Sequence, residues 1–358
     1  MVPIWEVIWL LNKDANELAI EVVYKQFESK NKFYKFYGES EFNKYVEDTE
    51  YSLSYLFEAI EASSPELFED YISWERIFLV NLGMPEELLK ERLEVMEDVI
   101  IRNLSPEKSS LAVKYIEDSI DNLTEPSRYV SFVNEDQPLV KLLEQYIDLL
   151  LKGDRHSAGK MVVEAVDNGI SVKDIYLNVF QSSLYEIGRL WQENKITVAQ
   201  EHYFTAATQL IMSQLYPYIS RTKKTGKVLV ATSVSNEQHE IGVRMVADFF
   251  EMDGWKTIYL GANTPSDGVI ETITANHADL ILISATISSN IGEVVKLIKN
   301  VRSCSECREP KIIVGGYPFG VDKELWKKVG ADGHAENAEN AVLLANSIVS
   351  EGFDSFEL

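Results

Sequence analysis

Residues 227–242 read KVLVATSVSNEQHEIG, and this stretch decides the fold. Its apolar first half predicts a buried strand, and an amphipathic helix is predicted to start near Ile241. The loop between them carries Glu237, His239 and Gly242. Ligands of open α/β sheets bind at the carboxyl ends of the strands. His239 is therefore expected where it can reach a cofactor at that edge.

Two later apolar runs end in small residues. The run 279–283 leads into Ser284-Ala285-Thr286, and the run 311–314 leads into Gly315-Gly316. Short runs rich in β-branched residues suit a parallel sheet that is covered on both faces. Small side chains at the strand ends leave room for a bulky ligand.

Together these elements resemble the motif of the cobalamin-binding domain family, which is Asp-x-His-x-x-Gly, then Ser-x-Leu, then Gly-Gly. The resemblance implies that His239 is the lower axial ligand of cobalt and that Glu237 orients its imidazole. Neutral imidazole is a good donor to a transition metal, and its second nitrogen needs an acceptor. The cofactor-binding residues implied in this domain are Glu237, His239, Gly242, Ser284, Thr286, Gly315 and Gly316. The sequence departs from the motif at Glu237, where Asp is usual, and at Thr286, where Leu is commoner.

The arrangement of predicted elements indicates a multidomain α and α/β protein. The amino-terminal part reads as about six helices, and the next unit reads as helices near 139–152, 155–168, 172–193 and 198–219, a four-helix bundle. Strands are predicted near 227–232, 256–260, 279–284, 311–314 and 331–333, with helices between them. This alternation favours a flavodoxin-like parallel sheet of five strands. The predicted division is an all-helical domain at 1–123, a linker at 124–138, the bundle at 139–221 and the α/β domain at 226–350.

Composition restricts the partners of the chain. The net charge is −23 over 358 residues, which disfavours direct binding to nucleic acid or to an anionic membrane surface. Spanning a bilayer takes about 20 consecutive apolar residues, and the sequence has no such run. The start of the chain also lacks a basic leader. We expect a soluble, cytoplasmic protein.

The two cysteines, Cys304 and Cys307, form a C-x-x-C pair within a charged loop. A redox pair, half of a zinc site and an ordinary solvated loop all remain open for this segment.

The predicted bundle carries a second resemblance. Trp191, nine intervening residues and then Glu201-His202 match the Trp-x9-Glu-His signature of adenosylcobalamin-dependent photoreceptors. The resemblance implies that Trp191, Glu201 and His202 hold the adenosyl group above the cobalt. Such photoreceptors often have His immediately after the Trp, whereas this chain has Gln192.

The whole arrangement resembles the photocobilins, in which a globin-like helical unit binds biliverdin without a covalent link. Residues 1–122 contain neither His nor Cys, which excludes a haem ligated by a histidine of this unit and a thioether-linked bilin. A non-covalent biliverdin remains compatible with this composition.

These resemblances favour a light sensor that is not an enzyme. Photolysis of adenosylcobalamin would change domain packing or the oligomeric state of a homo-oligomer, which would then act on a signalling partner protein. The alternative is a corrinoid carrier that shuttles methyl groups for a methyltransferase system. A third reading is the cobalamin subunit of a mutase, which would need a separate catalytic partner.

Overall fold

The computed structural model describes residues 4–28, 42–123, 130–219, 222–307 and 309–350. The described residues divide into two compact units. Of the described residues, the first contains 4–28 and 42–123 with the short segments 287–292 and 320–329. The second contains 130–219, 222–286, 293–307, 309–319 and 330–350.

The first unit is helical in its amino-terminal part. Its helices there are α1 (Ile4–Glu28), α2 (Phe42–Glu61), α3 (Pro65–Asn81), α4 (Glu86–Asn103) and α5 (Pro106–Asn122). Of the roughly six helices predicted here, the portion that falls on 29–41 lies outside the described residues. Arg92 on α4 and Glu75 on α3 form an ion pair within the core, with 6% and 7% of their side chains exposed.

The two short segments of this unit are held by polar contacts. The backbone N–H of Gly292 donates to Glu58 on α2 at 2.8 Å, and the Ser64 hydroxyl donates to Asp322 at 2.7 Å. Lys328 pairs with the same Asp322 carboxylate at 2.8 Å. Charged and hydroxyl groups, and not apolar packing alone, therefore fix these segments within the unit.

The second unit begins with the bundle. Its helices are α6 (Val140–Leu151), α7 (Arg155–Asp167), α8 (Val172–Ile175), α9 (Ser182–Gln192) and α10 (Val198–Ile219), with a π-helical segment (Tyr176–Gln181) between α8 and α9. The prediction of one continuous helix over 172–193 is corrected by this wider turn. The Tyr176 hydroxyl in the π-helical segment donates to Asp248 at 2.8 Å.

The rest of the second unit contains the sheet. The elements of this part of the chain are β1 (Val228–Ser233), α11 (Ile241–Met252), β2 (Lys256–Tyr259), α12 (Ser266–Asn276), β3 (Leu280–Ser284), α13 (Ile291–Ser303), β4 (Lys311–Gly315), α14 (Tyr317–Val321), α15 (Leu325–Lys328), β5 (Gly333–His334) and α16 (Ala338–Ser350). Among them, α15, the start of α13 and the end of α14 lie in the segments 287–292 and 320–329 of the first unit. The five strands are parallel in the order β2-β1-β3-β4-β5. The predicted flavodoxin-like fold is confirmed.

This strand order places the motif residues. The order reverses between β1 and β3, and the crevice at such a switch point is where open α/β sheets bind ligands. Ser233, Ser284 and Gly315 are in register at the carboxyl ends of β1, β3 and β4. The loops that follow these three strands therefore meet at one edge of the sheet.

One apolar core runs from the bundle to the sheet within the second unit. Tyr176 and Phe249 contribute rings whose centroids are 6.1 Å apart, and Phe204, Phe249 and Phe250 are fully buried. Within the described residues, no helix combines the length and the apolar character needed to cross a membrane.

Candidate cobalamin site

His239 is held in one orientation by Glu237. Nδ1 of His239 lies 2.6 Å from Oε1 of Glu237, and the backbone N–H of His239 donates to the same oxygen at 2.9 Å. The His239 side chain is 57% exposed, whereas that of Glu237 is completely buried. With Nδ1 engaged by the carboxylate, Nε2 is the nitrogen that can bind a metal.

Glu237 also connects the histidine loop to the loop after β3. Its second oxygen, Oε2, accepts the backbone N–H of Thr286 at 2.8 Å. A buried carboxylate has to be paired, and here both oxygens are used. The longer side chain found in place of Asp thus spans from His239 to the Ser-x-Thr element, a link that the sequence departure alone does not show.

The hydrogen bond to Glu237 raises the pKa of His239 above its ordinary value, and the charges of Glu237 and Glu201 act in the same direction against the effect of burial. A carboxylate behind a histidine increases the basicity of the ring and fixes its tautomer, as in many metal sites. The electrostatic influence of Glu201 brings one of the bundle residues into the surroundings of His239.

The glycines differ in what surrounds them. Gly316 has φ of +109°, and a Cβ there would lie 1.9 Å from the carbonyl oxygen of Ala285. Gly316 is therefore required so that the loops after β3 and β4 can approach each other. A Cβ at Gly242 would meet nothing within 4 Å. The backbone at Gly242 is thus open beside the exposed imidazole.

These features fit a corrinoid. The donor is a single exposed imidazole with a fixed tautomer, and it lies at the switch point of the sheet beside an open glycine and closely packed small residues. These features belong to the loops after β1, β3 and β4 or to the ends of those strands, where the structure places His239, Glu237, Ser284, Thr286, Gly315 and Gly316. Gly242 lies in the first turn of α11, directly after the histidine loop.

The residues predicted for the upper side lie near one end of the bundle. Trp191 is half-buried near the end of α9, and Glu201 and His202 lie in the first turns of α10. Oε2 of Glu201 is 2.5 Å from Nδ1 of His202, which is 75% exposed. Glu201 Oε1 also accepts a hydrogen bond from Thr205 at 3.0 Å.

Glu240, next to the histidine, is a residue that sequence reasoning missed. Its Oε1 accepts from the Gln209 amide on α10 at 2.8 Å. Its Oε2 accepts from the Tyr259 hydroxyl at 2.8 Å and from the Ala262 N–H at 3.0 Å. Glu240 therefore ties the bundle to the histidine loop. Its position beside the motif histidine is the only sequence signal that could have indicated it.

Comparison with known proteins agrees with this geometry. Residues 142–216 and 227–343 each match a B12 binding domain family. A corrinoid protein of Desulfitobacterium hafniense is 25% identical over 219 residues, which are 60% of this chain and 100% of that protein. Dimethylamine corrinoid protein 2 of Methanosarcina mazei is 28% identical over 190 residues, 52% of this chain and 82% of that protein.

A third relative and one solved structure extend the comparison. The trimethylamine corrinoid protein of Methanosarcina barkeri is 22% identical over 213 residues, 58% of this chain and 95% of that protein. The structure of a monomethylamine corrinoid protein of Methanosarcina barkeri has a TM-score of 0.53 at 21% identity and covers 59% of this chain and 100% of that one. This structural likeness shows a shared fold. The two regions that match B12 binding domains support a cobalamin-binding family for this chain.

The prediction of a light sensor is wrong. The relatives are named as corrinoid proteins, and several carry the name of a methylamine. Trp191, Glu201 and His202 supply an indole, a carboxylate and an imidazole, and such groups are not specific to a photolabile ligand. The names of the same relatives also contradict the expected homo-oligomer with a light-dependent state.

Proposed function

We propose that this protein is a corrinoid carrier, the alternative weighed from its sequence, and that it carries methyl groups for a methyltransferase system. The observation that supports the proposal most strongly is the Glu237-oriented, exposed imidazole of His239 in a region that matches B12 binding domains. When bound, the corrinoid supplies a cobalt centre that can accept and give up a methyl group. The carrier itself is not an enzyme, in keeping with relatives that are named as corrinoid proteins.

Each side of the site has its own residues in this proposal. His239 would bind the cobalt from below, with its tautomer fixed by Glu237. The rest of the cofactor would be lined by Gly242, Ser284, Thr286, Gly315 and Gly316. Trp191, Glu201 and His202 lie toward the upper side. Two of the relatives are named as methylamine corrinoid proteins, so the cofactor that we propose is a methyl-bearing corrinoid and not adenosylcobalamin. The proposal includes no biliverdin. The partner is a methyltransferase protein.

Lower ligation can be tested by magnetic resonance. The full chain is loaded with hydroxocobalamin and reduced to the Co(II) state, whose signal is split by the nucleus of an axial nitrogen. Labelling of the histidines with nitrogen-15 should change this splitting in the wild type. In His239→Ala the label should have no effect, because any remaining splitting would come from the cofactor's own dimethylbenzimidazole nitrogen. His156→Ala, at an exposed position of α7, is the matched control. A wild-type splitting that does not respond to histidine labelling, or one that still responds to it in His239→Ala, would exclude His239 as the ligand.

Carriage of methyl groups needs a separate test. The chain loaded with methylcobalamin is mixed with a thiol acceptor and its corrinoid methyltransferase. In the reverse direction, the reduced protein is mixed with mono-, di- or trimethylamine and the methyltransferase for that amine. We expect stoichiometric methyl exchange with at least one amine. Cofactor binding without exchange in any combination would reject the carrier function while leaving the ligation result intact.

A further inference from the structure

We propose that Cys304 and Cys307 are a reversible dithiol–disulfide site that exchanges with low-molecular-weight thiols. The two residues are joined as a disulfide with Cα atoms 5.4 Å apart, a separation within the usual range for such a bond. The proposal does not depend on the proposed function, because it uses no residue of the cobalamin site.

The pair lies at the opposite edge of the sheet from the cobalamin site. Cys304 directly follows α13, and the loop from Cys304 to Pro310 leads into the amino end of β4. The Gly315-Gly316 element follows the carboxyl end of the same strand. Exchange at the cysteines therefore leaves the cofactor-binding loops in place.

One sulfur is accessible and the other is protected. Cys304 is half-buried, and Cys307 is 7% exposed. Surface depressions of about 300 Å³ and about 520 Å³ open at this loop; Cys304 lines both of them, whereas Cys307 lines only the first. Cys304 is thus the more accessible of the two residues for an incoming thiolate.

The contacts of the two sulfurs fit this division. The backbone N–H of Cys307 donates to Sγ of Cys304 at 3.1 Å, so the negative charge that Cys304 carries when it is released in the second step of exchange, or when it attacks an oxidised thiol in the reverse reaction, has a donor. Sγ of Cys307 lies 3.5 Å from the Thr274 hydroxyl on α12. Cys304 is accordingly the exchanging sulfur, and Cys307 is the one that closes the ring.

The connection does not need the disulfide for its structure. Arg302 donates to the carbonyl of Pro310 at 3.2 Å and to Asp332 at 2.7 Å, and Asp332 also accepts the N–H of Ile312 at 2.6 Å. A disulfide that closes so short a loop contributes little stability through chain entropy. Its breakage should therefore change the loop and not the fold.

The exchange takes place in two steps. A small thiolate, RS⁻, attacks Sγ of Cys304, the Cys304–Cys307 bond breaks, and Sγ of Cys307 leaves with the electron pair and takes up a proton. A second RS⁻ attacks the sulfur of the first, which forms RSSR and releases Cys304 as a thiolate that is then protonated. The protein disulfide gains two electrons and two protons, and two RSH become one RSSR.

The experiment is a redox titration of the full chain in mixtures of reduced and oxidised glutathione, followed by acid quenching, alkylation and intact mass measurement. We expect a single transition in which both cysteines change together while circular dichroism stays constant. Thiols that stay free in the most oxidising mixture, or a disulfide that persists in the most reducing one, would overturn the proposal.

Single-cysteine variants test which of the two sulfurs exchanges with the small thiol. Cys307→Ser leaves Cys304, which should form a mixed disulfide with glutathione about tenfold faster than Cys307 does in Cys304→Ser, because exposure governs access to the sulfur. Equal rates would contradict the assignment of Cys304 as the exchanging sulfur. If either variant fails to fold, the titration of the unaltered chain still decides whether the site is reversible.

Discussion

At the scale of single residues, Glu237 is the position on which the geometry of the site depends most. Both of its oxygens accept hydrogen bonds from N–H groups, from His239 on one side and from Thr286 on the other. Glu237→Gln places an amide that donates where one of these oxygens accepts. The buried mismatch should cost about 1–3 kcal/mol of stability. Loss of a residue that orients a metal ligand typically lowers affinity by about 10- to 100-fold.

The affinity of Glu237→Gln can be measured by equilibrium dialysis against hydroxocobalamin. Glu237→Asp keeps the charge but is shorter, so it should retain the bond to His239 better than the bond to Thr286 and give an intermediate affinity. Glu271→Gln, on the exposed side of α12, is the control for loss of a carboxylate. An unchanged affinity in Glu237→Gln would show that the orientation of His239 does not depend on this carboxylate.

The two glycines Gly316 and Gly242 should separate folding from binding. Gly316→Ala combines a positive φ with a clash against the Ala285 carbonyl, and we expect it to destabilise the apoprotein by at least about 3 kcal/mol. Gly242→Ala meets open space and should leave apoprotein stability unchanged or slightly raised. If the corrin ring approaches Gly242 closely, this second variant should bind hydroxocobalamin more weakly. Thermal denaturation and equilibrium dialysis on both variants give the comparison. Normal binding of hydroxocobalamin by Gly242→Ala would show that the corrin ring does not approach this position.

At the scale of elements, the contact between the π-helical segment and α11 is sensitive to pH. Burial raises the pKa of Asp248 to about 6, although the hydrogen bond from Tyr176 and the charge of Arg244 lower it. The folded state therefore holds the proton more tightly than the unfolded state does. Stability from this group is present at low pH and is lost as the pH rises through about 6. The shift corresponds to at most about 3 kcal/mol.

Asp248→Asn removes this titration and keeps an oxygen that can accept from Tyr176. The variant should match the wild type near the ordinary pKa of aspartate, about 4, and exceed it in stability above the raised value. Urea denaturation at both ends of this range measures the difference. Asp148→Asn, with 58% of the wild-type side chain exposed, should show no such dependence. A constant difference between Asp248→Asn and the wild type at all pH values would contradict the ionisation argument.

Elements also show how far sequence reasoning reaches. The alternation of strands and helices, which favours the flavodoxin-like sheet, and the Glu237–His239 pair follow from local patterns, because the hydrophobic period and the motif spacing can be read within short segments. The contacts of Glu240 with Gln209 and Tyr259 do not follow from such patterns, because the partners lie on separate elements and have no distinctive spacing. The π-helical segment was missed for a similar reason, because an apolar period of about 3.6 residues does not reveal a single wide turn.

At the scale of the whole molecule, the relatives contradict the predicted light-sensing function, whereas the predicted site residues remain a proposal. The motif around His239 describes how a cofactor is held from below, and this chemistry is common to carriers and sensors. Trp191 and Glu201-His202 indicated a photoreceptor only through resemblance, because an indole, a carboxylate and an imidazole do not themselves require photochemistry. The Glu75–Arg92 pair was not foreseen either, since charged residues on predicted helices are usually solvated.

That buried pair allows a test of whether the cofactor site depends on the first unit. The matched D. hafniense corrinoid protein aligns over its full length to only 60% of this chain, so that relative has no counterpart for much of the remaining sequence. Glu75→Gln leaves the guanidinium of Arg92 buried without its carboxylate, which should cost the first unit about 3–5 kcal/mol. Glu86→Gln breaks the pair with Arg76, in which Glu86 is 42% exposed, and should cost at most about 1 kcal/mol. Hydrogen exchange in α3 and α4 should therefore accelerate strongly in the first variant and little in the second, while hydroxocobalamin affinity stays unchanged in both. A loss of affinity in Glu75→Gln alone would show instead that the cobalamin site requires an intact amino-terminal unit, because the two variants differ in the burial of the broken pair and not in the charge removed.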